Sequence, residues 1–190
     1  MAHWGMPFII SYAAWVAMEI WISARDRHRR AGASRDRGSL WVVVAAYVLS
    51  LSIAGYLAGT QSWARIRPFH DQLYVAGVVL MWAGMALRIW AVLVLGRFFR
   101  ITVMVQDEHR LVEEGPYKIL RHPAYSGGLI TMIGIGLAMG NWLSLLTMIW
   151  VLLLAYGYRI RVEEQALKAR FGETYDRYAA VRWRLVPFVI

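Results

Sequence analysis

The chain has 190 residues, of which 59% are hydrophobic and ten are tryptophan, with a formal net charge of +9. Its apolar residues fall in long blocks that a soluble core of this size would lack, so the composition indicates a membrane protein. There is no cysteine, which excludes disulfides, thiolate catalysis and cysteine-ligated metals, and the basic excess reads as membrane orientation, not nucleic-acid binding.

Only MAHWG precedes the first apolar run, with no basic n-region and no small-residue cleavage site, so that segment is expected to be retained. A span needs about 20 apolar residues. The first is predicted from Met6 to Ala24, with Glu19 inside it. The second runs from Leu40 to Thr60 without a charge, and the third from Leu73 to Leu95, interrupted by Arg88. One long block, Tyr125 to Tyr158, is split by Gly140-Asn141, a pair suited to a tight turn. It reads as a helical hairpin, Gly128–Met139 and Trp142–Tyr158. The first arm is short for a full span and is expected to begin earlier, or to tilt and sit partly inside the bundle.

The tail from Val162 to Val181 places Ala166, Leu167, Phe171, Tyr175 and Tyr178 at helical spacing, with charges between them and Gly172 interrupting. It reads as one or two amphipathic helices near the interface, with Trp183 and Phe188 as anchors. The expected fold is therefore all-α: an integral membrane bundle of about five transmembrane helices with a cytoplasmic amphipathic C-terminal helix. No linker divides it, so 1–190 is one membrane domain, with spans 1–2 in 1–71 and the remainder in 72–190.

Of the 21 basic residues, 18 fall in the first loop, in Gly96–Ala124 and in the tail from Arg159. The positive-inside rule assigns these to the cytoplasm, with the N-terminus outside and the C-terminus inside.

The stretch GPYKILRHPAYSGG, Gly115 to Gly128, makes a poor lipid-facing helix. Pro123 has no amide proton, and His122 before it is pushed away from helical angles. Broken backbone beside a bilayer must be buried in protein, held in water or occupied by a ligand. Gly115, Gly127 and Gly128 allow close backbone approach, Pro116 and Pro123 fix the path, Tyr117 and Tyr125 offer aromatic faces, and Arg121 and His122 offer donors. By composition alone it reads equally as a ligand site or as a connector touching headgroups. Glu163-Glu164, flanked by Arg159 and Arg161, suits a cationic ligand, or simply a solvated helix segment. Arg88 inside a span should face a partner, for which Glu19 is available, or a polar cavity, and reads as a functional residue or as half of a structural pair. RFFR at Arg97–Arg100 reads as a snorkelling anchor. His3, His28, His109 and the His70–Gln72 run give no metal-ligand spacing, and no phosphate-binding loop is present. Gly134, Gly136 and Gly140 suit close helix packing.

GPYKILRHPAYSG followed by EEQALKARFGETYDRYAAVRWRLVP resembles the isoprenylcysteine carboxyl methyltransferase family and its phospholipid methyltransferase relatives. The two motifs are G-P-Y-x-x-x-R-H-P-x-Y-x-G and E-E-x-x-L-x-x-x-F-G-x-x-Y-x-x-Y with Pro187 beyond, and the similarity extends from Val103 to Pro187. It implies S-adenosylmethionine as methyl donor, wrapped by Gly115, Pro116, Tyr117, Arg121, His122, Pro123, Tyr125 and Gly127 and completed by Glu163 and Glu164. It implies a lipophilic acceptor entering from the bilayer. An ionised carboxylate acceptor needs a cation to position it, for which Arg159, Arg161 and Arg121 are candidates. An amine or thiol acceptor would need a base, Glu163 or His122. Three other readings stand beside this one: a phospholipid or small thiol or amine methyltransferase, an NADPH-dependent sterol-type reductase sharing R-H-P-x-Y-x-G, and a non-catalytic membrane scaffold. The sequence leaves the oligomeric state open.

Overall fold

The computed structural model describes residues 5–27, 38–67, 69–96 and 111–188. The RFFR cluster, most of the first basic loop, and His3, His28 and His109 lie outside them. The described residues form six α-helices in order: α1 Met6–Arg27, α2 Ser39–Thr60, α3 His70–Leu95, α4 Pro123–Ala138, α5 Trp142–Phe171 and α6 Glu173–Ala180. Short 3-10 turns occupy Ser62–Ala64 and Gly115–Lys118. Among the described residues the only β features are two isolated bridges, Arg65 with Asn141 and Leu120 with Trp183.

Among the described residues, four helices are long and apolar enough to cross a membrane: α1 over Met6–Arg25, then α2, α3 and α5. Large apolar side chains such as Ile10, Trp41, Val48, Trp90 and Leu154 face outward, as lipid contact requires. The hairpin's first arm begins at Pro123, five residues before the predicted Gly128. Even so, α4 has 16 residues, about 24 Å of rise against a hydrocarbon core of about 30 Å. It is a central helix, with 11 of those residues buried.

Small residues make that burial possible. Gly77 of α3 faces Gly134 of α4, and one heptad along, Gly84 faces Gly127. A Cβ on Gly134 would stand 2.5 Å from the Gly77 carbonyl oxygen, and one on Gly127 2.6 Å from that of Gly84. Backbone therefore packs on backbone, the arrangement small residues permit between membrane helices. Gly136 meets Leu145 of α5 in the same way. The third member of the predicted packing series, Gly140, instead makes the hairpin turn with φ 62°. Asn141 then caps α5, its Oδ1 accepting from Ser144 N at 3.1 Å, while its Nδ2 donates to the Gln61 carbonyl at 3.1 Å and ties the turn to the end of α2.

α1 is fastened to α3 by polar contacts. Phe8 N donates to the Tyr74 hydroxyl, Trp82 Nε1 donates to Ser11 Oγ, and Arg88 pairs with Glu19, the pair available in the sequence. At the other end α5 runs for 30 residues, about 45 Å, and so extends well beyond what a bilayer core requires. The first half of the amphipathic tail is thus the continuation of α5 and not a separate helix. Gly172, at φ 52°, ends it, and α6 turns back.

Candidate active site

The site is assembled where the Gly115–Gly128 stretch meets the far end of α5. His122 has φ −128° and ψ 56°, and Pro123 occupies the first turn of α4. The proline that could not continue a helix therefore starts one, a position where its missing N–H costs nothing. Tyr125 N and Ser126 N both return to the His122 carbonyl at 3.0 and 3.1 Å. This elbow aims Arg121, His122 and Tyr125 toward α5.

There two adjacent carboxylates receive them. Arg121 Nη1 donates to Glu164 Oε1 at 2.8 Å, and His122 Nε2 lies 3.2 Å from the same oxygen. The Tyr125 hydroxyl donates to Glu163 Oε2 at 2.9 Å. His122 Nδ1 is 3.9 Å from that oxygen, so the imidazole stands between the two acids. Behind Tyr125, Arg159 Nε donates to its hydroxyl at 3.1 Å, and Arg159 Nη1 reaches Ser39 Oγ at the start of α2. The ring of His122 stacks on Tyr125 at 5.7 Å, and Tyr125 lies 5.0 Å from Tyr156, whose hydroxyl bonds that of Tyr47. An aromatic wall thus leads from the acids into the bundle.

The tail closes the arrangement from the third side. Arg121 N donates to the Trp183 carbonyl at 2.8 Å, Trp183 N to the Ile119 carbonyl at 3.0 Å, and Ser126 Oγ to the Leu185 carbonyl at 2.6 Å. Arg184, on the same strap, places Nη2 2.9 Å from Glu164 Oε2. Two arginines and an imidazole, from two segments, converge on one carboxylate. Such charge-assisted bonds are the stronger class. The strap is stiffened by Arg182, which pairs with Glu113 at 2.6 Å and lies 4.2 Å over the Tyr178 ring. Burial holds the Tyr117 and Tyr175 hydroxyls well above the usual tyrosine value, with Glu163 and Glu164 respectively adding to the rise, and burial pushes Tyr178 up to about 12. All three are neutral hydroxyls near pH 7.

The sequence profile of the phospholipid methyltransferase family matches residues 73–174, from α3 through the elbow and hairpin to the start of α6. The chain belongs to this family. A probable protein-S-isoprenylcysteine O-methyltransferase of Oryza sativa subsp. indica is 33% identical over 147 residues, covering 75% of this chain and 76% of that protein. Protein-S-isoprenylcysteine O-methyltransferase B of Arabidopsis thaliana is 33% identical over 162 residues, covering 83% and 82%. The solved structure of the eukaryotic intramembrane Ras methyltransferase ICMT (isoprenylcysteine carboxyl methyltransferase) superposes with a TM-score of 0.67 at 25% identity. The match covers 75% of this chain and 52% of that one, so the chain spans about half the length of that structure.

In this membrane methyltransferase, then, Arg121, His122 and Tyr125 come together with Glu163 and Glu164, while Tyr117 and Pro116 are buried behind them. Two of the glycines stand elsewhere. Gly127 faces Gly84 and Arg88 of α3, and a Cβ on Gly115 would meet Val94 at 2.9 Å. Both fit the elbow to α3. Arg159 and Arg161 diverge: Arg159 is 2% exposed and faces inward, and Arg161, two positions on, is exposed. Residues two apart on a helix do not share a face. Arg184, Ser126 and Tyr156 went unread in the sequence. Arg184 lies between the tyrosine-bearing motif and Pro187, and the hydroxyl of Tyr156 inside an apolar run was the available signal.

Proposed function

We propose that this methyltransferase uses S-adenosylmethionine and methylates the carboxylate of a lipophilic, isoprenylcysteine-like acceptor that arrives from the bilayer. The observation that carries it is the meeting of the two motifs, Arg121 with Glu164 and Tyr125 with Glu163. The residues fit the donor. Arg121 and the Tyr175 hydroxyl lie beside each other, and Arg121 Nε and that hydroxyl are buried without a well-aligned hydrogen bond among the described residues. Both are donors suited to a carboxylate or ribose oxygen. Glu163, with a third of its side chain open, suits an ammonium or sulfonium, and the His122–Tyr125–Tyr156 wall suits a flat ring.

The donor supplies an activated methyl group for in-line displacement, so the protein's task is alignment and exclusion of water. Glu164, held from both segments, fixes the elbow against α5. Arg159, buried beside Tyr125, carries the cation that would orient an acceptor carboxylate. Arg161 is exposed, and we assign it to headgroup contact. A carboxylate acceptor is ionised at neutral pH, so no residue has to remove a proton. The charge distribution supports a cytoplasmic site with the N-terminus outside.

Membership of the family favours methyl transfer over the reductase and scaffold readings. Phospholipid, thiol and amine acceptors compete with the carboxylate. Purified protein in detergent should bind S-adenosylmethionine and S-adenosylhomocysteine by calorimetry and transfer labelled methyl to farnesylcysteine. Binding of neither nucleoside would overturn the donor assignment. Label appearing in phosphatidylethanolamine and not in farnesylcysteine would overturn the acceptor.

A further inference from the structure

Arg88 and Glu19 belong to neither motif. Arg88 Nη2 donates to Glu19 Oε2 at 2.9 Å, and Nε lies 2.7 Å from Oε1, an ion contact off the hydrogen-bond line. Neutralising a cation inside an apolar span accounts for these two nitrogens. It does not account for the third. Nη1 points away from Glu19 and donates to the carbonyl oxygen of Ala124 at 3.0 Å.

Ala124 sits between Pro123 and Tyr125, in the elbow itself. α3 touches this turn twice: at Gly127, where a Cβ would stand 2.7 Å from Arg88 N, and at the Ala124 carbonyl through the guanidinium. One peptide unit farther on, Tyr125 delivers its hydroxyl to Glu163 and receives Arg159. Displacement of the carbonyl is therefore passed directly to the group that faces the acids.

We propose that Arg88, braced by Glu19, is a positioning residue: it sets the Pro123–Tyr125 elbow and, through Tyr125, the place of Glu163. The proposal rests on the donor-site reading above. It makes α1, which lies outside the family-matched 73–174, a working part of the site. An ion pair that merely joined α1 to α3 would behave differently. Replaced by apolar side chains of similar volume, such a pair is often energetically neutral, and its loss would leave the elbow untouched.

The test uses the whole protein in detergent, with two variants. E19L/R88M removes both charges while roughly keeping volume. R88K keeps a charge for Glu19, but a point-like ammonium cannot hold carboxylate and carbonyl as the planar fork does. The expected result is a melting temperature close to wild type in both, with faster amide hydrogen exchange confined to the peptide covering residues 123–130. S-adenosylhomocysteine should bind E19L/R88M about tenfold more weakly, the effect of one lost bond from a charged donor, and R88K should lose less. Unchanged exchange over 123–130 in R88K would overturn the proposal, even if E19L/R88M failed to fold. If wild-type protein binds no S-adenosylhomocysteine, the donor-site reading fails, and the exchange comparison still decides whether Arg88 holds the elbow.

Discussion

Arg121 and Glu164 meet at 2.8 Å from positions 43 residues apart, one on the elbow before the hairpin and one toward the far end of its second arm. Their side chains are only about 15% exposed, so little water competes for the bond. Arg121→Ala should leave the fold intact, because Arg184 and His122 still satisfy Glu164. A bond from a charged donor contributes about 1.5–3 kcal/mol. S-adenosylmethionine affinity should therefore fall by about tenfold to a hundredfold, measured by calorimetry. Unchanged affinity would reduce Arg121 to a connector residue.

Glu164→Gln should be harsher on stability than Arg121→Ala. It leaves two arginines facing an amide, and both the elbow and the strap lose their common anchor. Breaking a fully buried pair costs about 3–5 kcal/mol, and the half-open setting of Arg184 lowers that to roughly 1–3. A thermal melt in detergent ranks the two variants, and a smaller shift for Glu164→Gln would contradict this ordering.

Gly127 separates a packing role from a ligand-contact role. Gly127→Ala would force a methyl to within 2.6 Å of the Gly84 carbonyl oxygen, and overpacking of this kind typically costs about 1–3 kcal/mol. Gly157, in α5, has nothing within 4 Å of an added Cβ, so Gly157→Ala should be neutral or stabilising by up to about 1 kcal/mol. Melting temperatures of the two single variants should move in opposite directions, or only Gly127→Ala should move. Equal shifts would place Gly127 away from the α3 contact.

Alkaline pH should loosen the tail. The Tyr178 hydroxyl is shifted upward, from 10.0 to about 12, chiefly by burial. An unfolded chain gives up this proton near 10 and the folded chain near 12, so between those values the unfolded state binds fewer protons and stability falls as pH rises. The contribution is complete below pH 10 and lost by about 12. Tyr178→Phe should flatten the decline in melting temperature across that window. An identical decline in the variant would assign it to other tyrosines.

Much of this was legible in the chain. Spans one to three all fall within three residues of their predicted ends, because bilayer thickness constrains apolar length directly. The Pro123 break, the Gly140-Asn141 turn and the Glu19–Arg88 pair were visible because each violates a local rule for lipid-facing helices. The exact start of α4 was not, since a proline reads as a stop although it fits the first turn of a helix. The grip of Arg184 on Glu164 depends on a parallel bridge between Leu120 and Trp183, a long-range contact that no periodicity encodes. The split of Arg159 from Arg161 follows from helix geometry alone, and was within reach once α5 was read as continuous through Phe171.

That same bridge has a consequence for biosynthesis. Leu120 and Trp183 are joined across the hairpin and α6, so closing this loop costs chain entropy that only the finished contacts return. A chain lacking Trp183 would hold all of its long apolar helices but not this bridge. Glu164 would then be held by Arg121 and His122 without the grip of Arg184. The elbow and the strap are thus joined only once residue 183 has been made, after the hairpin over which they close.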